Sequence, residues 1–377
     1  MPTKIRLAPR AWAVSCRIAV SYTVATAGVA PWFGFPADAQ TPPKTRPIVI
    51  AAVGDIMLGS TYPDRRDLPP AGGAMLLADV APILRRADLT FGNLEGPLAD
   101  GGKPAKKTGA NSYAFRVPTV YGKHLQTAGF DVLSCANNHA NDFGVSGRVS
   151  TRRTLDALGI AHAGSERDDI AYLNVQGKRV AVLAFATGSV PANLNDIPGA
   201  VRRVRDASPQ ADLVIVSFHG GAEGSGYQHV PRGGETYLGE KRGNLRGFSH
   251  AVIDAGADLV IGHGPHVVRG MEVYRDRLIA YSLGNFATYG KFGLSGPTGM
   301  APILEAHLDP ETGKFVGGRV HPARQTKPGG PRRDKTGAVL PLLRDLSRAD
   351  FGKTAVQIRP DGTLLPPVRT LKRPNRR

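Results

Sequence analysis

The residues with the most chemical capacity lie at the ends of apolar runs. RPIVIAAVGD ends at Asp55, and LTFGNLEG supplies Asn93 and Glu95. DVLSCANNH supplies Asn138 and His139, ADLVIVSFHGG carries His219, and DLVIGHGPHVV carries His263 and His266. Carboxylates, amide oxygens and imidazoles arriving from separate strands form the ligand set of a divalent cation. Two such ions, about 3.5–4 Å apart, clamp a phosphoryl or carboxyl group and generate hydroxide from bound water. Mixed oxygen and nitrogen ligation suits Mn, Fe, Zn or Mg. A thiolate site is excluded, because Cys16 falls in the N-terminal leader and Cys135 then stands alone.

Each element also has an ordinary reading. An Asp after a strand caps turns or helices, Gly and Asn mark turns, and paired histidines can sit in a core. Five strand ends that all finish in ligand-type residues favour one shared cleft. A carboxylate-pair glycosidase through Asp55, Glu95 and Glu223 is the competing chemistry, and it leaves the histidines without a task. No G-x-S-x-G elbow is present, and neither a Walker loop nor a dinucleotide glycine fingerprint follows the first strand.

These residues need a scaffold that gathers strand ends. Apolar runs alternate with helix-like stretches: MLLADVAPILRRAD, VYGKHLQTAGF, VSTRRTLDALGI and RGFSHAVIDAGA. GMEVYRDRLIAYSLGNF and MAPILEAHLDPETGKFVGGRVHPAR read as late hairpins. This order predicts an α/β sandwich with mostly parallel strands inside. In such sheets a ligand sits beyond the carboxyl ends of the strands. Around CANNHANDFG, Cys135 belongs to a buried strand. Asn137, Asn141 and Asp142 tie the loop through side chain–backbone hydrogen bonds, with Asp142 also placed to orient His139.

At 377 residues and 41% hydrophobic, the chain has material for a sizeable core. The first 39 residues combine Lys4, Arg6, Arg10 and Arg17, an apolar run and Ala37-Asp38-Ala39, which predicts a secretory signal peptide and an exported protein. An uncleaved membrane anchor is the other reading of that segment. The core domain is expected over residues 40–321, followed by a basic extension over 322–377. From Arg324 onward there are 14 Lys and Arg against 4 Asp and Glu, so most of the net charge of +17 is a tail property. Such a tail suits an anionic polymer or membrane surface, or is simply a solvated end. It has no interleaved aromatics for stacking bases, so nucleic acid is not an expected partner.

GDIMLG, NLEGPL, CANNHANDFG, HGGAE and GHGPHVVRGMEVY…LIAYSLGNF occur in this order between Pro47 and His307. In that pattern the chain resembles the CapA/PgsA family of poly-γ-glutamate capsule biosynthesis proteins, within the calcineurin-like metallophosphoesterase superfamily. The resemblance implies a four-layer α/β/β/α metallophosphoesterase-like sandwich around two divalent metal ions. It implies Asp55, Asn138, His219, His263 and His266 as metal ligands, and His139 as the group that protonates a leaving group. Met57 stands where the superfamily has a ligand histidine. Asn93 stands at the bridging aspartate, with Glu95 available for that task. Two function classes follow. One is a metal-dependent hydrolase or transferase acting on an amide or phosphate of an exported polymer. The other is a non-catalytic accessory subunit that grips an anionic polymer beside membrane-bound synthase subunits.

Overall fold

The computed structural model describes residues 46–105, 113–166, 168–188 and 192–368. The expected signal peptide lies outside them, as do the last residues of the basic extension. Among the described residues no helix is long and apolar enough to cross a membrane.

Apolar strands make two mixed sheets. In the first, Ile48–Met57 is followed across the sheet by the parallel strands Leu89–Leu94, Val132–Ser134 and Ala161–Ala163. On its other side it pairs antiparallel with Ile303–Leu308, and Phe315–His321, Thr363–Leu365 and Gln357–Ile358 extend that antiparallel half. Asn285–Thr288 also runs parallel to the end of Ile48–Met57. The second sheet has a parallel centre of Lys178–Ala186, Leu213–His219, Leu259–His263 and Arg277–Ala280. Antiparallel strands Ile170–Val175 and Met271–Tyr274 form its edges.

The packing gives the layers. Ile50, Phe91, Val182, Ile215 and Ile261 join one buried cluster, so the inner faces of the two sheets meet. The outer face of the first sheet packs on α1 (Ala81–Leu84), α2 (Gly122–Ala128) and α3 (Gly144–Leu158). The outer face of the second packs on α4 (Ile197–Ala207) and α5 (Leu245–Asp254). This is the four-layer α/β/β/α sandwich. Asp196 and Asn244 start α4 and α5 by accepting the amides of Gly199 and Gly247 at 2.9 and 3.0 Å, which satisfies donors that a helix N-terminus leaves open.

Two expectations change. The helix over Met75–Asp88 shrinks to α1, because Pro82 can begin a helix but cannot sit inside one. The domain does not stop at residue 321. A sixth helix, α6 (Val339–Phe351), sends Val339, Leu340 and Leu343 into the inter-sheet core, where Val356, Ile358 and Leu364 join them. The described part of the basic extension therefore closes the first sheet. Its cations are partly engaged: Arg333 pairs with Asp79 at 3.0 Å and Arg332 donates to the Leu76 carbonyl at 3.1 Å.

Candidate metal centre

The site begins with a fault in the first strand. Ala52 pairs with Phe91, yet Asp55 pairs with Asn93, so one extra residue is inserted between them. A bulge of this kind re-aims the side chains beyond it. Val53 faces the outer core, while Ala52 faces the inner one. Strict alternation would send Asp55 outward with Val53; the bulge turns it inward, toward the second sheet. Gly54 permits this, since a Cβ there would lie 1.9 Å from the Gly284 carbonyl oxygen.

Asp55 is fully buried and held on both oxygens. Asn93 Nδ2 donates to Oδ1 at 2.8 Å, and His266 Nδ1 lies 3.0 Å from Oδ2. Burial alone would raise its pKa, but the His266 hydrogen bond and the His266 charge lead the interactions that outweigh this and hold the carboxyl well below the usual range. Asn93 Oδ1 in turn accepts from Asn137 Nδ2 at 3.3 Å. Both ends of the Asn93 amide are thus used inside the protein, and it positions Asp55 rather than presenting a spare oxygen.

Glu95 is different. It is fully buried, and neither carboxylate oxygen has a hydrogen-bond partner. Burial pushes its pKa up to about 8. Around Oε1 stand His266 Nε2 at 3.6 Å, His219 Nε2 at 3.9 Å and His139 Nε2 at 4.0 Å. His219 is buried at the end of its strand and its Nε2 is also without a partner. Burial holds its pKa well below the ordinary value, which keeps the ring in the neutral form a metal binds. Asn138 Oδ1 is a further buried, unpartnered oxygen. Asp55, Glu95 and His266 each offer an atom within 4.8 Å of the others.

A buried carboxylate without a partner is expensive, and unsatisfied buried atoms of this kind call for an explanation. A divalent cation supplies one, since every orphan here is a ligand-type oxygen or nitrogen. The residues present therefore fit a metal.

The two histidines of GHGPH separate. His263 is buried with Nε2 on the Val53 carbonyl at 3.0 Å and Nδ1 3.4 Å from Ser217 Oγ. It points across the sheets to the bulge and latches them, so neither ring nitrogen remains for the expected metal role. His266 enters the cleft from a left-handed backbone, φ 56°. Strained backbone held by its surroundings is common at functional sites. The chain can make this approach because Gly264 follows His263, where a Cβ would meet the Gly220 carbonyl oxygen at 2.6 Å.

His139 and Asp142 lie together, Nδ1 to Oδ2 at 2.8 Å. Asp142 Oδ2 also accepts the Phe115 amide at 2.7 Å, which fixes the carboxylate. The Phe115 ring lies 4.4 Å from the His139 ring, centroid to centroid, and 5.4 Å from Phe292. His139 therefore turns Nε2 toward Glu95 from a rigid mount.

Four residues at the site escaped the sequence reading. Arg242 is buried and pairs with Glu223 at 2.8 Å, whose other oxygen is 4.0 Å from His266 Nε2. Asn285 stands beside Asp55 in the parallel register. Phe115 and Phe292 form an aromatic wall. In the sequence, the SLGNF run that contains Asn285 reads as part of a hairpin and of the family-like pattern, with no role for Asn285 itself. Met57, which the resemblance set at a ligand position, is fully buried in the outer core, its sulfur accepting the Gly59 amide at 3.3 Å.

Comparison with known proteins gives the family of the chain. The family model of the bacterial capsule synthesis protein PGA_cap matches residues 49–289. The chain is 33% identical over 273 residues to the capsule biosynthesis protein CapA of Bacillus anthracis, covering 66% of this chain and 62% of the relative. It is 31% identical over 250 residues to the PGA biosynthesis protein CapA of Bacillus subtilis, covering 62% and 61%. It thus spans about three fifths of the length of these relatives. A solved Staphylococcus aureus structure named for a 5'-nucleotidase, with α-ketoglutarate bound, covers 73% of this chain and 54% of its own at 16% identity and a TM-score of 0.39, too low to align site residues. With most of its described core inside the matched span, this chain belongs to the bacterial capsule synthesis protein family PGA_cap.

Proposed function

We propose that this chain is an exported, metal-dependent hydrolase or transferase. Its substrate is an amide or phosphate linkage in an anionic capsule polymer, a γ-linked polyglutamate first among them. Its partners are that polymer and the membrane-bound subunits that make it. The carrying observation is Glu95, buried with neither oxygen hydrogen-bonded and with Oε1 facing the Nε2 atoms of His219, His266 and His139. The names of the Bacillus relatives support the polymer class.

Asp55, Glu95, His219, His266 and Asn138 would hold one or two divalent ions. When bound, these supply Lewis acidity and a hydroxide source near neutral pH. The protein's own residues do the rest. Asp142 keeps the proton of His139 Nδ1 in place, so that Nε2 exchanges a proton with the cleft. Nε2 then delivers that proton to the departing nitrogen or oxygen. Phe115 excludes water from one side of the ring. Arg242 holds Glu223 at the rim, beside His266.

Incubating the Mn²⁺-loaded protein with polyglutamate and following chain length tests this. Shortening or transfer that disappears in His139→Ala, with metal content unchanged, supports the enzyme. The second reading, an accessory subunit that binds polymer without cutting it, is favoured by Met57 facing the outer core and by the engaged amide of Asn93. Polymer bound tightly and recovered at full length in the presence of metal would establish that reading instead.

A further inference from the structure

We propose that Asn285 is a further ligand of the metal centre, beside Asp55. The inference rests on the metal-centre reading and adds a residue to it. Asn285 begins the strand Asn285–Thr288 and pairs in register with Asp55, which pairs on its other side with Asn93. Residues opposite one another in parallel strands share a face of the sheet. Asn93, Asp55 and Asn285 therefore form a row across three strands, with Asp55 in the middle.

The Asn285 side chain is buried, at 1% exposure. Its Nδ2 donates to two carbonyls, His266 at 3.3 Å and Thr298 at 3.2 Å. That fixes the amide orientation, because an oxygen turned toward two carbonyls would be repelled by both. Oδ1 is left buried with no partner. Orphaned buried amide oxygens are uncommon and need an explanation. Amide oxygens are ordinary ligands of hard and borderline divalent cations.

The same residue also pins the carbonyl of His266, whose left-handed backbone brings its ring to Asp55. One amide would thus hold a ligand loop with its nitrogen and the ion with its oxygen. Met57 cannot serve: it is buried among outer-core side chains such as Leu58, Leu76 and Phe286.

Titration of the metal-free full-length protein with Mn²⁺ by calorimetry, and with Co²⁺ by visible absorption, tests the proposal. The variants are Asn285→Ala and Asn285→Asp, each checked by its metal-free melting temperature. Loss of a ligand weakens binding at least about ten-fold in Asn285→Ala and shifts the Co²⁺ band. Asn285→Asp keeps an oxygen toward the ion but turns its other oxygen to the His266 and Thr298 carbonyls, so it binds Mn²⁺ more weakly than wild type and more tightly than Asn285→Ala. Equal Mn²⁺ affinity in wild type and Asn285→Ala overturns the proposal while leaving the metal centre standing. So does binding in Asn285→Asp no tighter than in Asn285→Ala, which would mean that only the two donated hydrogen bonds matter. A wild-type protein that takes up no metal removes the centre itself, a separate and recognisable failure.

Discussion

Two clusters among the described residues, at Glu305 and at Glu95, set a carboxylate among several imidazoles, and they differ in how its oxygens are satisfied. At Glu305, on the antiparallel half of the first sheet, His307 Nε2 lies 2.7 Å from one oxygen and His321 Nε2 2.9 Å from the other. At Glu95, three imidazoles approach to 3.6–4.0 Å and none makes a hydrogen bond. The hydrogen bonds of His307 and His321 hold the Glu305 carboxyl well below the usual range, whereas burial pushes Glu95 up to about 8. The first cluster is complete as it stands, and the second leaves its ligand atoms without hydrogen bonds. Residue type alone does not mark a metal site; unsatisfied ligand atoms held at short range do.

The sharpest way to break this comparison is to neutralise each carboxylate. Glu95→Gln should reduce Mn²⁺ affinity by at least about 100-fold, read by calorimetry. Because a buried carboxyl without a hydrogen-bond partner is removed, its metal-free melting temperature should stay level or rise. Glu305→Gln should leave metal affinity unchanged and cost about 1–2 kcal/mol of stability, the value of hydrogen bonds to a charged group at a partly exposed site. Metal loss in both variants, or in neither, would erase the distinction.

Next in size is the split between the two loop histidines. His266→Gln should weaken metal binding by at least about ten-fold with a small change in melting temperature. His263→Gln should do the reverse, lowering the melting temperature because the Val53 carbonyl and Ser217 lose a buried partner. Equal effects on metal would contradict the assignment of His263 as a latch.

A smaller effect is the acid limb of the complete cluster. Glu305 has a folded pKa below its ordinary 4.5, so it contributes stability above that value and loses it as pH falls through the folded pKa. The melting-temperature gap between wild type and Glu305→Gln should therefore be steady from pH 7 to about 5 and close below pH 4.5. A gap that widened in acid would have the wrong sign.

The alternation of apolar runs and helical stretches made the sandwich legible in the sequence, as did the placement of Asp55, Glu95, His139 and His219 at strand ends. What could not be read depended on backbone detail. The bulge after Ala52 turns Asp55 inward, and no residue type announces it. His263 and His266 sit in one five-residue motif, and only a left-handed turn at His266 separates latch from ligand. Asn285 was hidden because its meaning comes from register with Asp55, across more than two hundred residues of chain. The domain end was misplaced because Gln357–Ile358 and Thr363–Leu365 are too short and too mixed in character to signal strands before their sheet partners are known.

The central claim is that the orphaned atoms around Glu95 hold a divalent ion. The most direct measurement is elemental analysis of purified protein after Mn²⁺ loading and gel filtration, with Glu95→Gln and Glu305→Gln alongside. The account predicts stoichiometric metal in the wild type and in Glu305→Gln, and none in Glu95→Gln. Wild-type protein that emerges without metal, or Glu95→Gln that retains it, would contradict the account.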